Sequence, residues 1–324
     1  MTGYIAITDY DWYADLLGRP TLDEVNFWTP SPRNLPRLQL GGVLFFKLRA
    51  KYGSPIVGFG LFEWSSTLPA WLVWDTFREA NGAADRATML ERIGRLRRET
   101  HPDPAGRYEV GCLMLRQPVF FEQENWVRGP ADWPRHTERW KRYSLVEGEG
   151  RRIFEECISQ GGPSEARVIG EPAPASEHDA GLVAEGPRHG RPIVVQPRLG
   201  QRAFRVAVID AYGRACAVTG EKSLPALEAA HIRPFEQHGP HALSNGLLLR
   251  ADLHRLFDAG FVTVTQEHRF KVSGRLRDEF RNGLIYYDLQ QRIERAGRIR
   301  LPANPAHWPD PDFLAWHGRE RFIA

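Results

Sequence analysis

A stretch of unusual composition between about Ser159 and Gly200 limits what this chain can fold into. It is rich in Gly, Pro, Ala, Glu and Ser and includes Gly161-Gly162-Pro163 and Glu171-Pro172-Ala173-Pro174. Such a segment carries too little apolar surface to fold by itself, so it is predicted to be a linker. With 324 residues in all, the chain has room for one domain on each side, at roughly 150 residues per domain. The predicted boundaries are 1–158, 159–200 and 201–324.

The overall composition is that of a soluble globular protein. Hydrophobic residues make up 42% of the chain and charged residues 26%, which is enough to bury a core. The formal charge of +3 permits a nucleic-acid partner without requiring one. There is no run of about eighteen apolar residues, and the N-terminus carries Asp9, Asp11 and Asp15 instead of a basic region. Neither membrane insertion nor export is therefore expected.

The cysteines point to a reducing compartment. Cys112, Cys157 and Cys216 are odd in number and widely spaced. This pattern fits neither a disulfide framework nor a paired-cysteine zinc clamp. A cytoplasmic location is therefore expected.

The first section, to about residue 158, is predicted to be an α+β domain. Apolar runs at 43–48 and 56–62 flank turn residues, which predicts a β-hairpin. Apolar residues at near-helical spacing between Trp74 and Arg98, interrupted by an Asn-Gly pair, predict two helices with a turn. Two further strands are expected at 110–115 and 117–121, and a proline in the second favours an edge or a bulge there.

The last third of the chain carries an ordered set of motifs. Residues 202–212 read as a helix that ends at Gly213. Short strand-like and helix-like pieces follow, and they contain Cys216-Ala-Val-Thr-Gly220, Leu227-Glu-Ala-Ala-His231-Ile-Arg-Pro234, Ser244-Asn-Gly-Leu-Leu-Leu249 and Asp252-Leu-His254-Arg-Leu-Phe-Asp258.

These motifs resemble the HNH branch of the ββα-metal finger nucleases, in the version found in predicted restriction endonucleases. The resemblance covers about ninety residues, from Gln201 to Gln290, and matches in both residue type and order. It implies an endonuclease that hydrolyses phosphodiester bonds with a divalent metal ion. Imidazole and carboxylate ligands suit Mg, Mn, Ni, Co or Zn, so the ligand types do not select among these ions.

The chemistry of phosphodiester hydrolysis assigns expected roles to these residues. Water must lose a proton near neutral pH, which suits His231 as the general base. In related HNH nucleases the middle asparagine ties down the loop behind the base, and that residue is Asn245 here. His254 and Asp258 are four residues apart, so they share one helix face and are the expected metal ligands. Because a metal charge is needed beside the scissile phosphate, His254 also counts as catalytic.

One position departs from the family pattern. Many finger nucleases place a metal-binding Asp or His immediately before the general base, and this chain has Ala230 there. Either few protein side chains hold the metal, or Glu228 reaches into the site in place of Asp258.

Basic residues around and after the finger are candidates for contacts with DNA phosphates. The candidate residues are Arg233, Lys271 and Arg275. The alternative for the residues after the finger is a solvated helical face in which Asp278, Glu279 and Glu294 balance the arginines.

The N-terminal section resembles the PUA-like superfamily more loosely. The segments that carry the resemblance are Phe27-Trp28-Thr29-Pro30, residues 41–48 and residues 56–60. Members such as the SRA, EVE and ASCH domains are small β-barrels with helices, and several hold a flipped modified base among aromatic side chains. The resemblance implies a modified-base pocket, for which the candidates are Asn26, Trp28, Phe59, Trp64, Trp71, Trp74 and Asp75. The alternative for each aromatic residue is that it fills the core.

Three functional hypotheses follow. The first is a modification-dependent restriction endonuclease that reads modified double-stranded DNA with residues 1–158 and cuts it with the finger; cleavage of both strands would favour a homodimer. The second keeps the nuclease as an anti-phage or toxin effector whose first domain senses a small molecule or a protein. The third is a nucleic-acid binding protein with a degenerate finger, which the presence of base, asparagine and metal histidine disfavours.

Overall fold

The computed structural model describes residues 2–19, 22–99, 103–134, 139–161 and 200–324. The chain divides into two compact units, Met1–Gln196 and Pro197–Ala324. Most of the predicted linker lies outside the described residues, so the boundaries given above stay a prediction. No described helix is long and apolar enough to span a membrane.

The first unit is built on a six-stranded mixed sheet. Its strands are β1 (Thr2–Ile7), β2 (Glu24–Thr29), β3 (Val43–Lys47), β4 (Ile56–Pro69), β5 (Glu109–Phe120) and β6 (Trp140–Ser144). They lie in the order β2-β5-β4-β3-β1-β6, and every neighbouring pair is antiparallel except β1 and β3. Strands β3 and β4 form the predicted hairpin.

The prediction of two separate strands at 110–115 and 117–121 is wrong, because β5 runs through both. The pairing of β4 with β5 shifts between Phe59 and Leu61, opposite Arg116 and Val119. Gln117 takes a positive φ of 47° at this shift. A bulge therefore accommodates Pro118, which has no N–H to give to a ladder, and the strand continues beyond it.

Helices cover this sheet. They are α1 (Tyr10–Leu17), α2 (Ala70–Phe77), α3 (Arg86–Arg97) and α4 (Gly148–Gly161). The expected pair of helices between Trp74 and Arg98 is thus present as α2 and α3, although α2 starts before Trp74. Asp9 caps α1 by accepting a hydrogen bond from Asp11 N at 3.1 Å.

The second unit contains a two-stranded hairpin followed at once by a helix. Its elements are α5 (Gln201–Ala211), β7 (Leu227–His231), β8 (Gly246–Arg250), α6 (Ala251–Asp258), β9 (Val262–Val264), β10 (Phe270–Val272), α7 (Gly274–Phe280), α8 (Leu284–Ala296) and α9 (Pro311–Glu320). The antiparallel pair β7–β8 and helix α6 form the ββα finger. With the mixed sheet of the first unit, this confirms the predicted α+β class.

A buried histidine holds the C-terminal helix on the finger. His317 in α9 is 2% exposed, and its ring stacks on Phe257 of α6 at 3.6 Å. Its Nδ1 lies 2.9 Å from Thr263 Oγ1, and its Nε2 lies 3.1 Å from Phe257 O. The C-terminal helix therefore packs back on the finger.

Candidate active site

The finger brings its polar residues together because its three elements follow one another with little intervening chain. His231 is the last residue of β7 and pairs with Gly246, the first residue of β8. Helix α6 begins directly after β8 and carries His254 and Asp258, while Glu228 lies on β7. The sequence pattern predicted each of these elements.

His231 rests on an aromatic ring from outside the finger. It stacks on Phe204 of α5, with ring centroids 4.0 Å apart and planes 12° apart. The pKa of His231 is lowered to about 4, chiefly by burial; the nearby His241 and His254 act in the same direction, and Glu236 opposes them. The imidazole is therefore uncharged at neutral pH and has a lone pair with which to accept a proton.

A second histidine lies against the first. His241 Nδ1 is 2.9 Å from His231 Nε2, and the His241 ring stacks on Phe235 with ring centroids 4.9 Å apart. The sequence motifs predict no role for either His238 or His241. The structure separates them, because His238 is exposed and takes a positive φ of 64° at the end of a turn.

Asn245 is fully buried and holds the loop between the two finger strands. Its Oδ1 accepts a hydrogen bond from Arg233 N, and its Nδ2 donates to Arg233 O and Pro240 O, all at 2.9 Å. These bonds close the loop that begins immediately after His231. The arrangement is of the loop-fixing kind that the family resemblance implied for this asparagine.

His254 lies between two carboxylates. Its Nδ1 is 2.7 Å from Glu228 Oε2, and its Nε2 is 3.3 Å from Asp258 Oδ2. The sequence offered Glu228 and Asp258 as alternatives; both lie beside His254, one at each ring nitrogen. Within the described ranges, no three His, Cys, Asp or Glu side chains are grouped as a ready-made metal site.

The three candidate phosphate contacts have different surroundings. The Arg233 guanidinium lies 5.6 Å from the Trp316 ring, close to the finger loop. Lys271 Nζ lies 5.3 Å from the Phe322 ring, and Arg275 is paired with Glu279 at 2.5 Å. Arg275 is thus already balanced by a carboxylate. DNA contact by these residues stays a prediction.

The first unit contains a cavity of about 720 Å³. Aromatic and cationic side chains predominate among its lining residues. They are Ile7, Asp9, Trp12, Phe27, Trp28, Thr29, Pro30, Lys47, Arg49, Ala50, Ser54, Leu96, Trp133, Pro134 and Arg139. A volume of this size accommodates a nucleotide or another small ligand.

Of the candidate pocket residues, Trp28 alone lines this cavity. Phe59 is in the core of the sheet, and Asn26 is fully buried with Nδ2 donating to Asn81 Oδ1 at 2.9 Å. The remaining candidates lie elsewhere on or near helix α2 and strand β4: Trp64 and Trp71 are half-buried, Trp74 is buried and Asp75 is exposed. None of these four residues lines this cavity, so a modified-base pocket that includes them stays a prediction.

The sequence missed Lys47 and Trp133 as cavity residues. Lys47 directly follows the apolar run 43–46, and a lysine at that position is a signal that the sequence offers. In the structure it ends strand β3 and is buried. Trp133 had no such signal, because it lies in a segment without regular structure.

Residues 216–265 match the family model described as HNH endonuclease. This range holds β7, β8, α6 and the loop with His241, and it confirms the predicted HNH endonuclease domain and with it the prediction of a nuclease. No curated protein matches the chain.

Several solved structures, among them the two that follow, are similar to the chain at low identity. The ASCH protein from Zymomonas mobilis is 11% identical, with 49% of this chain and 96% of that chain covered and a TM-score of 0.30. A structure described as the modification-dependent TagI restriction endonuclease is 15% identical, with 94% of this chain and 78% of that chain covered and a TM-score of 0.27.

Proposed function

We propose that this protein is a metal-dependent DNA endonuclease that cuts modified DNA, with the first unit reading the modified base and the HNH domain hydrolysing the phosphodiester bond. The observation that carries the proposal is the uncharged His231 in the same finger as His254 and its two carboxylates. This combination offers a base for water and donors for a cation, the two requirements of phosphodiester hydrolysis.

His231 acts as the general base through Nδ1. Its Nε2 is in hydrogen-bond contact with His241 Nδ1, and one of these two nitrogens must carry the hydrogen. If Nε2–H donates to His241, the lone pair of His231 is on Nδ1. Among the described residues Nδ1 has no hydrogen-bond partner, so it is the nitrogen left to take a proton from water.

The donors around His254 fit a divalent cation. A carboxylate only accepts hydrogen bonds, so His254 Nδ1 carries the hydrogen that faces Glu228, and the tautomer with its one hydrogen on Nδ1 has a lone pair at Nε2. That lone pair and the Asp258 carboxylate, 3.3 Å apart, are two electron donors that a cation satisfies. Two ligands at about 2.1 Å from one ion and at a right angle are about 3 Å apart, close to this separation.

His254 and Asp258 would therefore hold the metal, and Glu228 would orient the His254 ring. When bound, the ion supplies positive charge beside the scissile phosphate and the leaving oxygen. Asn245 keeps the loop behind His231 closed, and Arg233 on that loop contacts a DNA phosphate.

His241 is expected to position His231, and substitutions that differ only in hydrogen bonding test this. His241→Leu lowers kcat about 10- to 100-fold, the range seen when a partner that orients a reactive ring is removed. His241→Asn restores most of the rate, because its side-chain oxygen accepts a hydrogen bond at a similar position. Steady-state cleavage kinetics measure both, and KM for DNA should stay unchanged.

Nitrogen-15 spectra of the histidine rings give a readout that a purely structural role would not move. His231 should carry its ring hydrogen on Nε2 in the unsubstituted protein and in His241→Asn. In His241→Leu it should be a mixture of the two tautomers. Equal rates and equal tautomers in all three proteins would exclude a positioning role.

The test of the proposed function compares matched unmodified and naturally modified phage DNAs with Mg, Mn, Ni or Co added singly. Cleavage of one modified DNA, lost with EDTA, is the expected result. Equal cleavage of all DNAs would retain the nuclease and exclude the reader. No cleavage with any ion, at preserved DNA binding, would favour a degenerate finger.

A further inference from the structure

The cavity of the first unit carries more positive than negative charge. Lys47, Arg49 and Arg139 line it, and Asp9 is the one acidic residue among its described lining residues. Lys47 is 3% exposed, and burial alone lowers its pKa. Burial lowers the pKa of Arg139 in the same way. Both side chains therefore have less contact with water than an ordinary surface cation.

The described residues do not supply an anion to Lys47. Its Nζ donates to Leu48 O at 3.2 Å and lies 4.8 Å from the Trp133 ring, and no described carboxylate is within ion-pair distance. The Asp9 carboxylate accepts a hydrogen bond at the start of α1. A buried cation without an anion raises the free energy of the folded protein, and a ligand that supplies negative charge removes this penalty.

The aromatic wall presents ring carbon to the cavity. Trp12 Nε1 donates to Asn26 O at 3.2 Å, and Trp28 Nε1 donates to Asn81 O at 2.9 Å, so neither indole N–H is available to a ligand. Such walls suit a planar ring that stacks or packs against them. The cavity thus combines a place for a ring with a place for an anion.

We propose that the cavity binds a nucleotide through an anionic oxygen held by Lys47 and Arg139, with the base against the tryptophans. This inference rests on the proposed function, in which the first unit reads the modified base. The anionic oxygen has two sources: the phosphate of the nucleotide itself, or a carboxylate carried by the modified base.

Tryptophan fluorescence titrations of the full chain test the proposal with three probes. They are deoxycytidine, which is uncharged, its 5′-monophosphate, and 5-carboxydeoxycytidine. One anionic probe should bind at least about tenfold more tightly than deoxycytidine, a difference of about 1.4 kcal/mol. Preference for the monophosphate identifies the phosphate as the anion, and preference for the carboxylated nucleoside identifies the base substituent. Equal affinities for all three overturn the proposal.

Lys47→Met is the variant that removes the charge and keeps the length of the side chain. It should abolish the preference for the anionic probe, and Lys51→Met, at an exposed lysine that does not line the cavity, should not. A preference that survives in Lys47→Met overturns the proposal.

Thermal unfolding without ligand gives an independent measure. Lys47→Met should melt at the same temperature as the original protein or higher, because a buried cation without an anion has been replaced by an apolar group. The anionic probe should then raise the Tm of the original protein but not that of the variant. A lower Tm for Lys47→Met would show that Lys47 already has its anion within the protein, and would overturn the proposal.

Cleavage assays separate this inference from the proposed function. In one outcome the probes show the Lys47-dependent preference while the rate of cleavage is the same for modified and unmodified DNA. That result would support the anion site and exclude the reading of modified DNA. The first unit would then sense a free nucleotide. If cleavage depends on modification and Lys47→Met changes neither cleavage nor probe binding, the reader stands and the anion site fails.

Discussion

His231→Ala abolishes DNA cleavage, with a loss of about 10³-fold in kcat, within the range that general acid–base catalysis contributes. The ring that is proposed to take the proton from water is gone, while the finger strands and the buried Asn245 remain. Single-turnover cleavage of a labelled duplex measures the loss, and a binding assay without metal should give an unchanged Kd.

The pH dependence of cleavage by the unsubstituted protein tests the same assignment of His231 as the general base. The base must be uncharged, and burial holds the pKa of His231 at about 4, below its usual 6.5. Activity should therefore stay constant as pH falls from 8 to 6.5 and decline only toward the lowered pKa. A decline centred at 6.5 would mean that an ordinary, exposed histidine limits the rate.

His238→Asn is the matched control for His231→Ala. His238 lies in the same loop, is exposed, and takes a positive φ that asparagine also tolerates. Its replacement should leave kcat within about twofold, since it touches neither His231 nor His254. Full activity in His231→Ala, or a large loss in His238→Asn, would show that the base had been assigned wrongly.

Asn245→Ala destabilises the second unit by about 3 kcal/mol and lowers its Tm by about 10 °C. The substitution removes three hydrogen bonds of 2.9 Å and leaves Arg233 N, Arg233 O and Pro240 O without that partner. Cleavage should fall as well, because the loop that follows His231 is no longer closed. Calorimetry of the full chain measures the first effect, and cleavage at a temperature where the variant is folded measures the second.

Asn304→Ala provides the comparison for Asn245→Ala. Asn304 is exposed and accepts one backbone hydrogen bond, from Ala306 N at 3.1 Å. Its loss should cost about 1 kcal/mol at most and leave cleavage unchanged. Similar effects from the two substitutions would mean that the Asn245 bonds do not hold the loop.

Residue type, spacing and order predicted the features of the site that depend on local chain geometry. The i, i+4 spacing of His254 and Asp258 predicted their shared helix face, and the order of the motifs predicted a nuclease finger. These features depend on local chain geometry, which a short motif determines.

Contacts between distant parts of the chain could not be predicted from residue type and spacing. Nothing in the residue types distinguishes His241 from His238, because the choice depends on how the loop closes around Asn245. The cavity walls show the same limit: Trp28, Trp64 and Trp71 are the same residue type, but of these three Trp28 alone lines the cavity. Which of them does so depends on how distant strands and helices pack.

The stacking of Phe204 under His231 bears on how such nucleases can be recombined. Phe204 belongs to α5, which precedes the family-matched range 216–265. A segment cut at the edges of the motif and fused to a new targeting module would lack the Phe204 ring on which His231 stacks. Transplants that begin at or before Gln201 keep that support, so the exchangeable part of this nuclease is longer than its signature.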